Sequence, residues 1–320
     1  MRKFKHVSAC TVEEAVSFLG SSDAYVIAGG TDLVGTMKDE VLRDYPQTLV
    51  NLKTIPDMDY VKEEGGVLKI GALTVLEDIA INDIVKNKYT ALAQAATRTA
   101  SPHLREMGTI AGNICQMNRC WYFRVPNNRF DCIRKGGNMC YAMAGDNRYH
   151  SIFGALNACV AVNPSDIAPA LVALNATIKT NKRSIAADDF WGYAVPGSTV
   201  LEQDEIVTEI QIPEPAGKSA FYKFATRKTI DFPIVNCAAM ISGNDARICL
   251  NAVYNIPYRA TKAEDAIKGK SINEENAEAA GTAAVSSGTL ALPAGKTHPG
   301  NKWKIQIAKT AVKRTILACK

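Results

Sequence analysis

The chain has 320 residues, 47% of them hydrophobic, and a formal net charge of +5. That length allows two or three packed subdomains around a sizeable core. The mild charge, with no basic run interleaved with aromatics, argues against nucleic acid, and no apolar run is long enough to span a bilayer.

Phe4 to Ala9 reads as a short edge strand. Thr11-Val12-Glu13-Glu14 has the form of a capping box, and Ala15, Val16, Phe18 and Leu19 supply one apolar helix face. Tyr25 to Ala28 is an apolar strand running into Gly29-Gly30-Thr31-Asp32-Leu33. Glycine lets backbone N–H groups approach an anion and Thr31 adds a donor, so this is a candidate phosphate cradle. An isolated Gly-Gly-Thr is more often only a tight turn before a helix. Leu49 to Leu52 reads as the next strand of a small α/β unit, and Val67 to Gly71 as a further strand turning at Ala72-Leu73-Thr74.

Helical patterns return at Val75 to Ile79 and in the alanine-rich Tyr89 to Thr99, which Ser101-Pro102 ends. His103 is lone and reads as structural. Thr109 to Asn113 is a second glycine-containing turn that could face the same pyrophosphate from the other side. Neither pattern is Gly-x-Gly-x-x-Gly, and Gly217-Lys218-Ser219 and Gly269-Lys270-Ser271 lack the preceding glycine of a P-loop.

The stretch between the second turn and Asn163-Pro164-Ser165-Asp166 holds Cys120, Cys132, Cys140 and Cys159. Around them Arg119, Arg124, Arg129, Arg134, Lys135 and Arg148 face only Asp131 and Asp146. Such an excess of cations suits a buried anion, as an iron–sulfur cluster on four thiolates would be. Zinc accepts the same ligands, although its usual close pairing of cysteines is absent, and ordinary buried cysteines are the third reading. The residues alone do not choose the metal. Nine cysteines exclude a complete set of internal disulfides, so reduced thiols in a cytoplasmic setting are expected. The basic start leads into Thr11-Val12-Glu13-Glu14 with no apolar signal core.

Beyond the cysteines, Cys159 to Val162 and Ala176 to Thr180 read as strands, with Ile167 to Leu174 a short apolar segment between them. Asp188-Asp189-Phe190 opens a short helix, Pro196-Gly197-Ser198 marks a loop, and Glu205 to Ile212 alternates as a strand. Pro213-Glu214-Pro215 is the expected boundary between a domain at 1–213, with its cysteine insert at about 115–160, and one at 214–320. The second domain should hold strands at Ala220 to Ala225, Ile234 to Ser242 and Arg247 to Tyr254. Its helices are expected at Ala263 to Lys268, Glu274 to Val285 and Lys302 to Ala318.

These residues resemble the FAD-binding subunit of the molybdenum hydroxylases, the family of xanthine dehydrogenase and carbon monoxide dehydrogenase. Ile27-Ala28-Gly29-Gly30-Thr31-Asp32-Leu33 looks like the family's first flavin pyrophosphate loop, and Gly108-Thr109-Ile110-Ala111-Gly112-Asn113 like its second. Phe221-Tyr222-Lys223, leading to Asp231-Phe232-Pro233, extends the resemblance into the last third. By resemblance, Asp166 contacts the flavin side of FAD, Lys223 is a basic residue near it, and Val207 an apolar one. Most of the family runs directly from the second loop to the Asp. The insert here is similar to that of 4-hydroxybenzoyl-CoA reductase and certain bacterial aldehyde oxidoreductases, which implies a [4Fe–4S] cluster on Cys120, Cys132, Cys140 and Cys159. Cys10, Cys115, Cys237, Cys249 and Cys319 match no ligand position and are expected to be packing residues.

The resemblance implies an α+β fold: a two-subdomain FAD-binding unit of the vanillyl-alcohol oxidase type, then an α+β domain of antiparallel sheet plus helices. It implies an oxidoreductase subunit exchanging electrons between FAD, a [2Fe–2S] small subunit, a molybdenum-cofactor large subunit and an external electron carrier. No catalytic triad or acid–base pair is expected on this chain. A self-sufficient flavin oxidoreductase and a zinc-stabilised binding module remain as rival readings.

Overall fold

A computed structural model describes residues 1–20, 23–192, 199–227, 230–286 and 300–320. The expected loop at Pro196-Gly197-Ser198 lies outside the described residues. Three short strands open the chain and pair in parallel in the order β1-β3-β2: β1 (Lys5–Ser8), β2 (Ala24–Ile27) and β3 (Thr48–Asn51). Parallel neighbours need crossovers, and helices Val12–Phe18 and Leu33–Lys38 supply them. Thr11 Oγ1 accepts the Glu14 N–H at 3.1 Å, while the Glu14 carboxylate takes the Cys10 N–H at 2.6 Å. Ala15 and Leu19 join Ala9 and Val50 in the core beneath.

A second sheet is antiparallel, in the order β4-β5-β8-β6-β7. It comprises β4 (Val61–Glu64), β5 (Val67–Gly71), β6 (Thr177–Thr180), β7 (Ser184–Ala186) and β8 (Val207–Pro213). Leu68, Ile70, Ile178, Ile210 and Ile212 face the main core with the period of two that a half-buried sheet imposes. The third sheet, in the order β12-β11-β10-β9, is also antiparallel. Its strands are β9 (Lys218–Phe224), β10 (Val235–Ser242), β11 (Asp245–Asn251) and β12 (Tyr258–Arg259). The chain thus leaves one sheet at Pro213 and begins the next at Lys218.

Helices cover both faces of this last sheet. Thr261–Ile267, Glu274–Val285 and Trp303–Leu317 pack on one side, with Ala277, Ala280, Ala308 and Ala311 allowing close approach. On the other side lie Ile167–Ala173, buried on every residue, and Thr90–Arg98. The alanine-rich Thr90–Arg98 comes near enough to β9 for the Ala91 N–H to reach Ser219 Oγ at 3.1 Å. No helix among the described residues is long and apolar enough to cross a membrane.

Four local expectations are corrected. Thr109 to Asn113 is not a turn, because the Thr109 hydroxyl caps helix Ile110–Cys115. Ser101-Pro102 does not end the alanine helix, which stops at Arg98; Ser101 caps a new turn, Pro102–Arg105, with proline in the first position. Exposed His103 sits in that turn. Cys159 to Val162 is no continuous strand, since Cys159 bridges to Leu156 and Val162 to Arg119. Cys10 is exposed, whereas Cys237, Cys249 and Cys319 are buried as packing residues should be.

Candidate functional site

β2 delivers Ile27 and Ala28 to a loop where Gly30 takes φ +70°, the left-handed region glycine enters without strain. Gly29 is needed for another reason: a Cβ there would stand 1.9 Å from the Met107 carbonyl oxygen. The two glycine stretches are therefore direct neighbours. The second is itself anchored, with Leu76 N–H donating to the Gly108 carbonyl and Ile110 N–H to that of Thr74, both at 2.9 Å. Thr109 Oγ1 accepts the Gly112 N–H at 3.1 Å. Thr31 and Gly112 are exposed at this junction, with Leu33 half-buried at the start of its helix.

Asp32 faces the cysteine segment. Its carboxylate accepts from Arg119 Nη2 (2.8 Å), Arg124 Nη1 (2.8 Å), Arg124 Nη2 (3.2 Å) and the Met117 N–H (3.2 Å). Burial opposes its charge, but Arg124 and Arg119 outweigh that and hold the carboxyl below the usual carboxylate range. Two cations of the segment are thus spent on fastening it to the first glycine loop.

Asn113, Asp166 and Lys223 meet through one buried polar network. Ser165 Oγ donates to Asn113 Oδ1 at 2.6 Å, and Asn251 Nδ2 donates to the Ser165 carbonyl at 2.7 Å. Asn236 Nδ2 donates to Asp166 Oδ1 and Lys223 Nζ to Asp166 Oδ2, both at 2.7 Å; Lys223 also donates to the Arg98 carbonyl at 2.9 Å. Burial raises the Asp166 carboxyl, against the pull of Lys223 and Asn236. Val207 lies apart from these hydrogen bonds, buried in the main core at the start of β8.

The cysteine segment has little regular structure: two 3-10 turns, Pro126–Asn128 and Ile133–Lys135, and helix Tyr141–Ala144. Cys120 packs against the Leu42–Phe123–Cys132 group and also against Ala142 and Val160, where Cys140 joins it. Its Sγ is 3.1 Å from His150 Nε2. Cys159 Sγ accepts from Arg134 Nε and the Ala161 N–H, each at 3.4 Å. Burial pushes the Cys120 thiol up to about 12 and raises Cys132 as well. Among the described residues, no three His, Cys, Asp or Glu side chains converge where one ion could bind them all. The four thiols share a neighbourhood and not a point.

Sequence reasoning passed over His150 and what fixes it. Fully buried Lys304 donates to the carbonyls of Tyr149, His150 and Ala252 at 2.8–3.0 Å. Asn301 Nδ2 donates to the carbonyls of His150 (3.2 Å) and Ser151 (2.7 Å). Burial brings Lys304 down to about 7, although its three carbonyl acceptors match the three N–H groups of the ammonium. A histidine inside the cysteine stretch was the available signal; nothing local marks Asn301 or Lys304.

Residues 2–215 match the family described as FAD binding domain in molybdopterin dehydrogenase, and residues 220–319 match the CO dehydrogenase flavoprotein C-terminal domain. The chain is 34% identical over 265 residues to the aldehyde oxidoreductase FAD-binding subunit PaoB of Escherichia coli (strain K12), covering 79% of this chain and 81% of that one. It is 28% identical to the carbon monoxide dehydrogenase medium chain of Hydrogenophaga pseudoflava, over 99% and 96% of the two chains. A solved carbon monoxide dehydrogenase from that organism, lacking the Mo-pyranopterin moiety of the molybdenum cofactor, matches with TM-score 0.76 at 27% identity, covering 99% of this chain and 97% of that chain.

Proposed function

The chain belongs to the FAD-binding subunits of the molybdopterin dehydrogenases, and on that premise we propose that it carries a [4Fe–4S] cluster beside its FAD and relays electrons within an oxidoreductase complex. Its partners would be a molybdenum-cofactor large subunit, a [2Fe–2S] small subunit and an external electron carrier, in the cytoplasm. The chain divides in this reading into a FAD-binding domain at 1–213 and a C-terminal domain at 214–320. When bound, FAD supplies the two-electron and one-electron chemistry that joins such carriers.

The chain's own residues would do the holding. Residues Ile27, Ala28, Gly29, Gly30, Thr31, Asp32 and Leu33, with Thr109, Gly112 and Asn113, would form the pyrophosphate cradle. Gly29 suits it because the loop lies flush on Met107, and Gly30 because its backbone turns left-handed. Asp32 would serve through its backbone, since its carboxylate is bound to Arg119 and Arg124. Asp166 and Lys223 would fix polar groups of the flavin from a dry, hydrogen-bonded base, with Val207 as an apolar neighbour.

Cys120, Cys132, Cys140 and Cys159 would hold the cluster. In a four-iron cluster each thiolate binds a different iron, so ligand sulfurs gather around a volume and do not converge on one ion. The carrying observation is Asp32, whose ion pairs with Arg119 and Arg124 give the cysteine segment and the first glycine loop a common wall. Iron, acid-labile sulfide, molybdenum and flavin are to be measured on protein purified from its source. The expected result is flavin and cluster iron on this polypeptide, copurifying with a larger and a smaller chain. Flavin without iron, or zinc in its place, removes the cluster; full activity of the lone polypeptide removes the partners.

A further inference from the structure

We propose that Arg134, Lys135 and His150 form a polar shell that raises the reduction potential of the iron–sulfur group on the four thiolates; this rests on the cluster reading above. Reduction adds one electron's charge to a group already anionic. Buried cations and N–H donors aimed at its sulfurs therefore favour the reduced form.

The segment's charges select the first two residues. Arg119 and Arg124 are held by Asp32 and Arg148 by Asp146, while Arg129 is exposed. Arg134, 3% exposed, and Lys135, 7% exposed, are buried cations of the same segment. Arg134 already donates through Nε to Cys159. Lys135 Nζ has no hydrogen-bond partner among the described residues and lies 5.6 Å from the Phe123 ring, which packs with Cys132. An ammonium out of water without an acceptor is costly unless an anion faces it. A cluster on Cys132 and Cys120 would be that anion.

His150 acts on the other side. Its Nε2 is 3.1 Å from Cys120 Sγ, its Nδ1 has no partner among the described residues, and Asn301 and Lys304 pin its main chain. A Cys120 thiol can give its hydrogen to Nε2. A ligand thiolate has none to give, so the imidazole hydrogen must then sit on Nε2 and point at the sulfur.

The test is an EPR-monitored potentiometric titration of the holoprotein. Lys135→Gln, Arg134→Gln and His150→Leu should each lower the cluster midpoint, with iron and sulfide per flavin unchanged and the flavin midpoints unmoved. Lys135→Arg and His150→Gln, which keep a donor, should return most of the shift. Wild-type midpoints in the first three variants, with clusters intact, overturn the proposal. If the glutamine variants lose iron, Arg134→Lys decides, because it keeps the charge and loses the Nε donor. A lowered midpoint there supports the proposal and an unchanged one overturns it. Wild-type protein without cluster iron would instead remove the cluster reading itself.

Discussion

Replacing Lys223 by methionine strands the Asp166 carboxylate. The two side chains are 2% and 3% exposed and pair at 2.7 Å, so solvent screens them little. Lys223→Met removes that bond and the one to the Arg98 carbonyl, leaving Asn236 Nδ2 on the carboxylate. Breaking a buried pair from one side costs about 3–5 kcal/mol, because the other charge stays behind. Adding Asp166→Asn removes that charge while Oδ1 still accepts from Asn236, so a double-mutant cycle should give a coupling of about 2 kcal/mol or more. Urea unfolding of the wild type, both single variants and the double supplies the four corners. Burial already raises the Asp166 carboxyl, and loss of Lys223 raises it further. A carboxyl raised in the folded state contributes stability that is complete below its unfolded value and lost as pH climbs through the folded value. The Lys223→Met deficit should therefore be smallest near about pH 4 and widen toward neutrality. Equal deficits at both ends, or a coupling under about 0.5 kcal/mol, would sink the reasoning.

Gly29→Ala should cut bound FAD at least about tenfold, since its methyl would need the space of the Met107 carbonyl; flavin per protein is the readout. Gly35→Ala, whose methyl meets nothing within 4 Å, should keep the flavin and gain about 0.5–1 kcal/mol. Cys132→Ser or Cys140→Ser should deplete iron and sulfide while FAD stays, because serine oxygen is a poor substitute for a soft thiolate. Cys237→Ser, inside the C-terminal core, should keep both cofactors. Arg124→Ala should destabilise most at neutral pH, with the deficit fading on acidification. The Asp32 carboxyl is held low, so its contribution exists above the unfolded value and vanishes as pH falls through the folded one. Paired urea titrations at neutral and acid pH check that sign.

What the sequence revealed was whatever has a local period or a fixed spacing. Thr11 with Glu14, the strand before Gly29-Gly30, the alanine helix at Thr90–Arg98 and the three longer strands of the third sheet announce themselves within a dozen residues, whereas the two-residue β12 does not. β4 did not, because Lys62, Glu63 and Glu64 give an edge strand few apolar positions. The helical nature of Thr109–Cys115 was hidden because glycine at 112 masks a capping threonine. The site shows the same split. Both glycine stretches and the four thiols could be picked out, and Asp166 and Lys223 stood out as separate positions once the family resemblance was seen, but the ion pair that joins them could not be read there. Nor could their mutual arrangement, because Asn236, Asn251, Asn301 and Lys304 act across 70 to 155 residues and carry no motif.

That separation has a consequence for assembly. Asn301 and Lys304 grip the main chain at 149–151 from about 150 positions downstream. On the ribosome both glycine loops and all four thiols precede this grip, and contacts so distant in sequence form late. Until helix Trp303–Leu317 docks, the carbonyls of Tyr149 and His150 lack the Lys304 ammonium that fixes them in place. The C-terminal helix is in this sense a latch, closing on a segment that the middle of the chain has already laid down.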